Sequence, residues 1–163
     1  MRTLAVVLLG VSVTACAPIA RDGGVSARSL ESDLHCGRPY PTSAATWIDN
    51  PVDFETAYRR FDRVSIETLV DLPDVDFFRD GVVLVEMGQR GTGGYGIDLA
   101  TPQVTRVDDA VQLIVHWTGP PPDAVLPQVM TSPCVFITLS RGDYERVQVF
   151  DETGRLRAEA TLP

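Results

Sequence analysis

Few residues of this chain have the type and spacing that catalysis requires. The two histidines, His35 and His116, lie far apart, and His116 alternates with the apolar positions of a strand-like run, which predicts that it faces solvent. Cys36, next to His35, could supply a thiol nucleophile, but a cysteine held in a disulfide has no thiolate to attack with. No general base is recognisable for Ser132 or Ser140. We therefore predict no catalytic residues and expect that the protein is not an enzyme.

Metal-ligand and cofactor motifs are equally sparse. Cys36, Cys134 and the two histidines are scattered and do not show the spacing of a zinc site. One acidic cluster could hold Ca²⁺, but it lacks the central glycine and terminal glutamate of an EF-hand loop, so a solvated loop is the better interpretation. The cluster consists of Asp71, Asp74, Asp76 and Asp80. We predict no metal and no cofactor.

The segment Met87–Gly96 stands out because it contains five glycines and joins two strand-like runs. Glycines allow positive φ angles and close backbone approach, so such a loop can offer its N–H and C=O groups to another molecule. A phosphate-binding loop is a poor fit, since neither a Lys-Ser/Thr pair nor a helix follows. Two interpretations remain: a contact surface for a partner, or a tight connection whose Tyr95 packs in the core. The candidate contact residues are Gln89, Arg90, Gly91, Thr92, Gly93, Gly94 and Tyr95.

The first residues have the anatomy of an export signal. Arg2 supplies a positive charge, Leu4–Val13 is almost entirely apolar, and small residues precede Cys16. The apolar run is too short to span a bilayer, which takes about 20 residues. The pattern resembles a lipobox, so we predict a lipoprotein signal peptide over residues 1–15 and lipidation of Cys16; the alternative is a plain secreted protein. Ala17, rather than Asp, after the cysteine favours the outer membrane, with the protein facing the periplasm.

Beyond Cys16 the composition predicts a tether followed by one domain. Residues 16–45 are rich in Gly, Ser, Ala and charged residues, and we expect them to form a lipid-anchored flexible tether. Residues 46–163 are long enough to build a single domain with its own core.

The charge and the remaining cysteines indicate the compartment and exclude one class of partner. The net charge of −8 becomes −9 once Arg2 leaves with the signal, and this acidic balance argues against nucleic-acid binding. An exported protein meets an oxidising environment, so a disulfide between Cys36 and Cys134 is the expected state. Two buried free thiols are the alternative.

The hydrophobic pattern predicts a mainly β domain with one short N-terminal helix. Phe54, Ala57, Tyr58 and Phe61 recur at helical spacing within Asp53–Phe61. Farther along, short apolar or alternating runs separated by turn residues predict strands, and Ile66–Leu69 fits either a helical turn or a strand. The predicted strands are Val82–Met87, Tyr95–Leu99, Val104–Val107, Val111–Trp117, Cys134–Leu139, Val147–Phe150 and Leu156–Thr161. We expect an antiparallel sandwich or a partly open barrel.

The unit around the glycines resembles the PrcB C-terminal domain family. That family combines a hydrophobic strand, a Gly and a polar pair, Thr-Gly-Gly-Tyr, further strands and a Pro-containing segment before a final strand. The chain has each part in order over about residues 76–151, with Thr92–Tyr95 in the loop and Thr131–Cys134 before the last long strand. Gly91 stands where the family often has Pro, so the rigidity of the loop can differ.

The resemblance implies a function without catalysis. Members of the family are bacterial lipoproteins named after a subunit of a surface protease complex. The expected function is therefore that of an envelope lipoprotein that acts as a protein-interaction module and assembles or stabilises a protease complex. Its partners would be the membrane, through the lipid anchor, and an envelope protein.

A second resemblance suggests an alternative function. Thr92–Tyr95 is distantly similar to the inhibitory loop of chagasin-type cysteine-protease inhibitors, which are immunoglobulin-like sandwiches. The alternative is therefore a protease inhibitor that inserts this loop into a cleft, an analogy at the level of fold and loop.

Overall fold

The computed structural model describes residues 24–36, 38–60 and 71–163. Within these ranges the chain forms nine strands and one helix, arranged as two packed sheets that do not close into a barrel. The mainly β, sandwich-like fold predicted from the hydrophobic pattern is thereby confirmed. Cys16, the predicted signal peptide over 1–15 and Ile66–Leu69 lie outside the described residues. Those that are described contain no helix with the length and apolar character needed to cross a membrane.

The elements follow one another along the chain with short connections in most places. Their bounds are β1 Ala27–Asp33, β2 Ala44–Ile48, α1 Pro51–Tyr58, β3 Asp80–Glu86, β4 Gly96–Leu99, β5 Thr105–Val107, β6 Ala110–Thr118, β7 Cys134–Ser140, β8 Arg146–Asp151 and β9 Leu156–Thr161.

The first sheet has four antiparallel strands in the order β1-β7-β3-β2. Its two central strands, β3 and β7, are buried on both faces, which explains why their sequences are nearly continuous apolar runs. In the ladder between them, Glu86 lies opposite Cys134 at one end and Asp80 lies opposite Ser140 at the other. The end marked by Glu86 and Cys134 carries the candidate site.

The second sheet has the order β4-β6-β8-β9. Strands β4 and β5 both pair with one edge of β6, and β8 pairs with the other edge. Strands β6 and β8 are parallel, because the chain crosses to the first sheet as β7 before it returns as β8. The other pairs of this sheet are antiparallel, and β8 and β9 form the hairpin predicted around Gly154. The parallel pair departs from the all-antiparallel expectation.

Two apolar clusters stabilise the sandwich. The larger lies between the sheets and takes alternate residues of most strands, as period-two alternation requires. The predicted face of β6 is confirmed, because Val111, Leu113 and Val115 are fully buried there and Trp117 packs against them. The smaller cluster lies on the outer face of the first sheet, where α1 places Phe54, Ala57 and Tyr58 against Val82, Leu84 and Phe136.

The helix begins slightly earlier than the sequence predicts. Asn50 caps α1, since its side-chain oxygen accepts a hydrogen bond of 2.9 Å from the N–H of Asp53, and Pro51 occupies the first turn, where its missing N–H costs nothing. The helix ends at Tyr58. Phe61, at the end of the predicted helix, lies outside the described residues.

The prediction of a flexible tether over 16–45 was wrong for residues 27–33 and 44–45. The first range is strand β1, which pairs with β7, and the second begins β2. Strand β1 is an edge strand that buries Ala27 and leaves most of its polar side chains in solvent. Its place in the sheet comes from backbone hydrogen bonds to β7, which composition does not reveal.

The predicted disulfide between Cys36 and Cys134 is confirmed. The two Cα atoms lie 5.7 Å apart and the bridge closes a sequence separation of 98 residues. For a loop of that size the chain-entropy model assigns about 4.7 kcal/mol of stabilisation. The bridge ties the segment that follows β1 to the first residue of β7, directly beneath the candidate site.

Candidate functional site

Two loops meet at one end of the sandwich. The Gly-rich loop (residues 87–95) leaves β3 after Glu86 and enters β4 at Gly96, while the Pro-rich loop (residues 119–133) leaves β6 after Thr118 and enters β7 at Cys134. Because Glu86 pairs with Cys134 and Gly96 pairs with Thr118, both loops emerge at the same end. We call the two loops together the loop platform.

Backbone hydrogen bonds join the two loops into one unit. Arg90 and Thr131 exchange both of their backbone hydrogen bonds, at 2.7 and 2.9 Å, in an isolated antiparallel bridge. The N–H of Gly93 donates to the carbonyl of Pro127 at 3.3 Å, and the hydroxyl of Thr131 donates to the carbonyl of Thr92 at 3.1 Å. These bonds hold the Gly-rich loop along the Pro-rich loop over most of its length.

The side chain of Arg90 braces the loop from within. Its guanidinium donates to the carbonyls of Pro41, Gln89 and Met87 at 3.0, 3.1 and 2.8 Å. It also lies 5.7 Å from the centre of the Tyr95 ring, within cation–π range. Arg90 was predicted to contact a partner, but in the structure its guanidinium points toward backbone carbonyls of this same domain.

Tyr95 lies between the two predicted alternatives. It is half-buried and packs against the core between the sheets, and a Cβ added at Gly119 of the Pro-rich loop would lie 3.6 Å from its ring. Gly94, at φ +85°, approaches Pro120 and Leu126 closely. Tyr95 therefore secures the base of the Gly-rich loop while keeping part of its surface in solvent.

Gly88 is a structural requirement of this loop. Its φ is +83°, a region that other residues rarely adopt, and a Cβ there would lie 2.6 Å from the carbonyl oxygen of Thr42. By contrast, Gly91 has an ordinary φ and open space around it. The glycines of the loop therefore serve different purposes, and only those at 88 and 94 combine positive φ with close packing.

Exposed apolar side chains lie on the platform and on the segment hydrogen-bonded to it. They come from the Pro-rich loop and from the segment after β1, and none of them was among the predicted contact residues. Val125 is fully exposed, Tyr40 is 63% exposed and Met130 is 55% exposed. We call this set the apolar rim; its members are Leu34, Tyr40, Val125, Val129 and Met130. For Val125, Val129 and Met130, the signal in the sequence was large apolar residues in a proline-rich stretch, where prolines cannot donate to a ladder.

Backbone contacts connect the rim to the Gly-rich loop. The carbonyl of Tyr40 accepts from the N–H of Gln89 at 2.8 Å, and that of Leu34 accepts from Ser132 at 2.7 Å. Val129 and Met130 directly precede Thr131, which is bonded to Arg90. The backbone segments that carry the rim are therefore hydrogen-bonded to one or other loop of the platform or are part of it.

The other chemistry-bearing residues are dispersed. Nδ1 of His116 lies 2.7 Å from Glu152 and its side chain is half-exposed, which confirms that it faces solvent. The hydroxyl of Ser132 donates to the carbonyl of Arg38, and Ser140 is hydrogen-bonded to Ser26. Among the described residues there is no group of three or more side chains that could hold a metal ion. The acidic residues at 71–80 lie at the opposite end, where Asp76 accepts from the N–H of Phe78.

Two buried carboxylates lie beneath this end of the sandwich. Glu86 is fully buried on the α1 side of β3. Nε of Arg38 lies 2.5 Å from Oε2 of Glu86, but the angles of this contact are not those of a hydrogen bond. Burial raises the pKa of Glu86, although the positive charges of Arg38 and Arg60 act to lower it.

The pKa of Asp151, at the end of β8, is shifted in the opposite direction to that of Glu86. Its carboxylate accepts from the hydroxyl of Thr153 at 2.7 Å, the N–H of Arg155 at 3.0 Å and Nε of Arg157 at 2.8 Å. These hydrogen bonds, led by that of Thr153, hold the pKa of Asp151 well below its ordinary value. Arg157 in turn stacks on Trp117, 4.9 Å from the ring centre.

Comparisons with known proteins identify the region that builds this site. No curated protein and no solved structure matches the chain. A family model does match, and its matched residues run from within β3 through both loops to the end of β7. The region from Val82 to Ser140 thus resembles the PrcB C-terminal family, as its central motif predicted.

Proposed function

We propose that this protein is a non-enzymatic interaction module of the cell envelope, which uses the loop platform and its apolar rim to assemble or stabilise a protein complex. The observation that carries the proposal is the apolar rim, because large apolar side chains exposed together on a folded domain are typical of a partner-binding surface.

The rigidity of the platform supports the same function. The bridge between Arg90 and Thr131 and the guanidinium contacts of Arg90 order the loops before any partner arrives. A preorganised surface loses less conformational entropy on binding than a mobile loop does. The glycines then serve to hold two loops together, and the exposed contacts come from their neighbours.

The anchor and the partner complete the proposal. Lipidation of Cys16 would hold the domain at the outer membrane, facing the periplasm, where acyl chains supply about 0.8 kcal/mol per buried methylene. The resemblance to the PrcB C-terminal family supports a protease complex as the assembly that the platform joins.

A protease inhibitor is the alternative, because both loops lie at one end of a sandwich. Such an inhibitor needs a loop that projects into a cleft. Here Gly93 and Gly94 lie against Pro127 and Leu126, so the Gly-rich loop is supported along its length. This geometry favours a docking platform over an inserting loop.

The test is affinity capture of the acylated, full-length protein from its own envelope in mild detergent. The variant Val125→Ser with Met130→Ser removes two exposed apolar side chains of the rim, and Phe78→Ser is the matched control, since Phe78 is 98% exposed at the opposite end. We expect a partner that the wild type and the control retain and the rim variant loses. Equal recovery with all three would contradict the proposal. Inhibition of papain-like proteases at micromolar concentration would support the alternative.

A further inference from the structure

A cleft of about 340 Å³ lies beside the loop platform, between the edge strands of the two sheets. One wall is the end of β1 and the residue after it, and the other is the beginning of β4. His116 and Thr118 of β6 line its floor. The residues of the two walls are Ser32, Asp33 and Leu34 on one side and Gly96, Ile97 and Asp98 on the other.

Strand β1 turns backbone hydrogen-bonding groups toward this cleft. The N–H of Ala27 points away from β7, since it donates to the carbonyl of Pro102 at 3.0 Å. Ala27 pairs with Leu139 and Ser32 pairs with Val135, two positions of the same parity on β7. Because orientation alternates along an antiparallel ladder, the N–H and C=O of Ser32 also face outward.

Strand β4 does the same on the opposite wall. The N–H of Ala100 donates to the carbonyl of Ile114 at 2.9 Å, so even-numbered residues of this strand bond to β6. The alternation turns the N–H and C=O of Ile97 away from β6 and toward β1. Each wall therefore offers the unpaired backbone of an edge strand, the arrangement that accepts an added strand.

The cleft is a wedge that opens toward the loop platform. At its closed end the hydroxyl of Ser29 on β1 donates to Oδ1 of Asp98 on β4 at 3.0 Å, so the two sheets meet there. The residues that line the open volume lie between this contact and the platform, at 32–34 on one wall and 96–98 on the other. Only a short extended segment fits, and it enters from the side of the platform.

The wedge is acidic. Oδ1 of Asp33 accepts from the N–H of His35 and Oδ1 of Asp98 accepts from Ser29 and Leu99, which leaves Oδ2 of each carboxylate available among the described residues. Neither Arg nor Lys is among the residues that line it. A chain with a net charge of −8 adds a favourable long-range field for a cation.

We propose that this wedge binds a short extended segment of the partner that carries an Arg or Lys side chain. The proposal rests on the proposed function and names the chemistry of the partner. The backbone of the segment pairs with Ser32 and Ile97, and its cationic side chain lies between Asp33 and Asp98. A second copy of this acidic chain is a poor occupant, because its charge repels the same carboxylates.

The test titrates the full-length protein with a short, end-blocked peptide that alternates valine with arginine, and follows binding by calorimetry and by amide chemical shifts. A peptide with glutamine in place of arginine is the matched probe. We expect the arginine peptide to bind, to shift the amides of Ser32 and Ile97, and to weaken with added salt. Asp33→Asn with Asp98→Asn keeps the accepting oxygens and removes the charges, and should weaken binding on the order of tenfold. Asp74→Asn with Asp76→Asn, an equal change in charge at the exposed opposite end, should leave it unchanged.

A separate variant tests the backbone pairing. Ser32→Pro removes an N–H that β7 does not use, so the edge strand tolerates it while the wedge loses a donor. Any one of three results would overturn the proposal. They are binding that is insensitive to Ser32→Pro, equal affinity for the two peptides, and chemical-shift changes confined to other amides. Failure of this proposal is distinguishable from failure of the proposed function. If capture of the partner depends on Val125 and Met130 but not on Asp33 and Asp98, the platform remains the binding surface and the wedge is excluded.

Discussion

Arg90 and Thr131 exchange two backbone hydrogen bonds, at 2.7 and 2.9 Å, across 41 positions of the chain (131 minus 90). This bridge makes the Gly-rich and Pro-rich loops a single surface. The side chains of the two residues extend the connection, since Arg90 binds carbonyls on its own side and Thr131 binds the carbonyl of Thr92. The stability of the platform therefore depends on a few identifiable contacts.

Replacing Arg90 with Ala should destabilise the protein and loosen the Gly-rich loop. The change removes three hydrogen bonds from a charged donor and the contact with Tyr95, and we expect a loss of about 1–3 kcal/mol in the free energy of unfolding. Urea denaturation measures the loss, and faster hydrogen exchange at the Gly93 amide locates it. Arg90→Lys should recover only part of it, since an ammonium cannot reach three carbonyls in a fork. Exposed Arg28→Ala is the control; a loss of equal size there would contradict the role of Arg90.

Gly88→Ala should be costly, whereas Gly91→Ala should be tolerated. At residue 88 the added Cβ meets backbone atoms at 2.6 and 2.9 Å and φ is +83°, whereas at residue 91 it meets nothing within 4 Å. We expect a loss of about 1–3 kcal/mol or more at the first position and a change within about 0.5 kcal/mol at the second. Thermal and urea unfolding of the two variants give the comparison. Similar stabilities would show that the loop can move away from Thr42.

Removing the disulfide should destabilise the domain by about 2–5 kcal/mol. The variant Cys36→Ser with Cys134→Ser releases the segment after β1, whose Tyr40 and Pro41 carbonyls bind the Gly-rich loop. Unfolding of the wild type with and without reductant should show the same loss as the variant. The variant itself should be insensitive to reductant, and a wild type that ignores reductant would count against a stabilising bridge.

Glu86→Gln should change how stability depends on pH. Because burial raises the pKa of Glu86 above its ordinary value of 4.5, the folded protein keeps a proton that the unfolded chain has released in the window above that value. The free energy of unfolding therefore falls as pH rises through the window. The glutamine variant lacks this fall, so its stability relative to the wild type should improve from acidic to neutral pH. Denaturant unfolding over a pH series checks this, with exposed Glu145→Gln as the control; parallel profiles would refute it.

Asp151→Asn should have the opposite dependence on pH. Hydrogen bonds from Thr153, Arg155 and Arg157 lower the pKa of Asp151, so its stabilising contribution is present above the ordinary value of 3.8 and is lost as the pH falls through the lowered value. The asparagine variant should be less stable than the wild type at neutral pH, and the gap should narrow in acid. The same denaturant series measures it, and a gap that widens in acid would exclude the assigned hydrogen bonds.

The amino-acid sequence by itself determined the class of the fold and most of its strands. Runs such as Val82–Met87 and Cys134–Leu139 are apolar because they are buried on both faces, and Val111–Trp117 alternates because one face is buried. These patterns are local consequences of burial, so they can be read without knowing the partner strands. The glycines of the Gly-rich loop and the two cysteines could likewise be recognised without knowing which segments meet, because residue type alone marks them.

Tertiary structure alone decided which segments meet. Strand β1 was missed because an edge strand is held by backbone hydrogen bonds that leave little trace in side-chain type, and the parallel pairing of β6 with β8 depends on a crossover through the other sheet. The inward turn of Arg90 and its bridge to Thr131 likewise join residues that are distant in sequence. Contacts of this kind depend on where the whole chain places its backbone, which no local pattern of residues specifies.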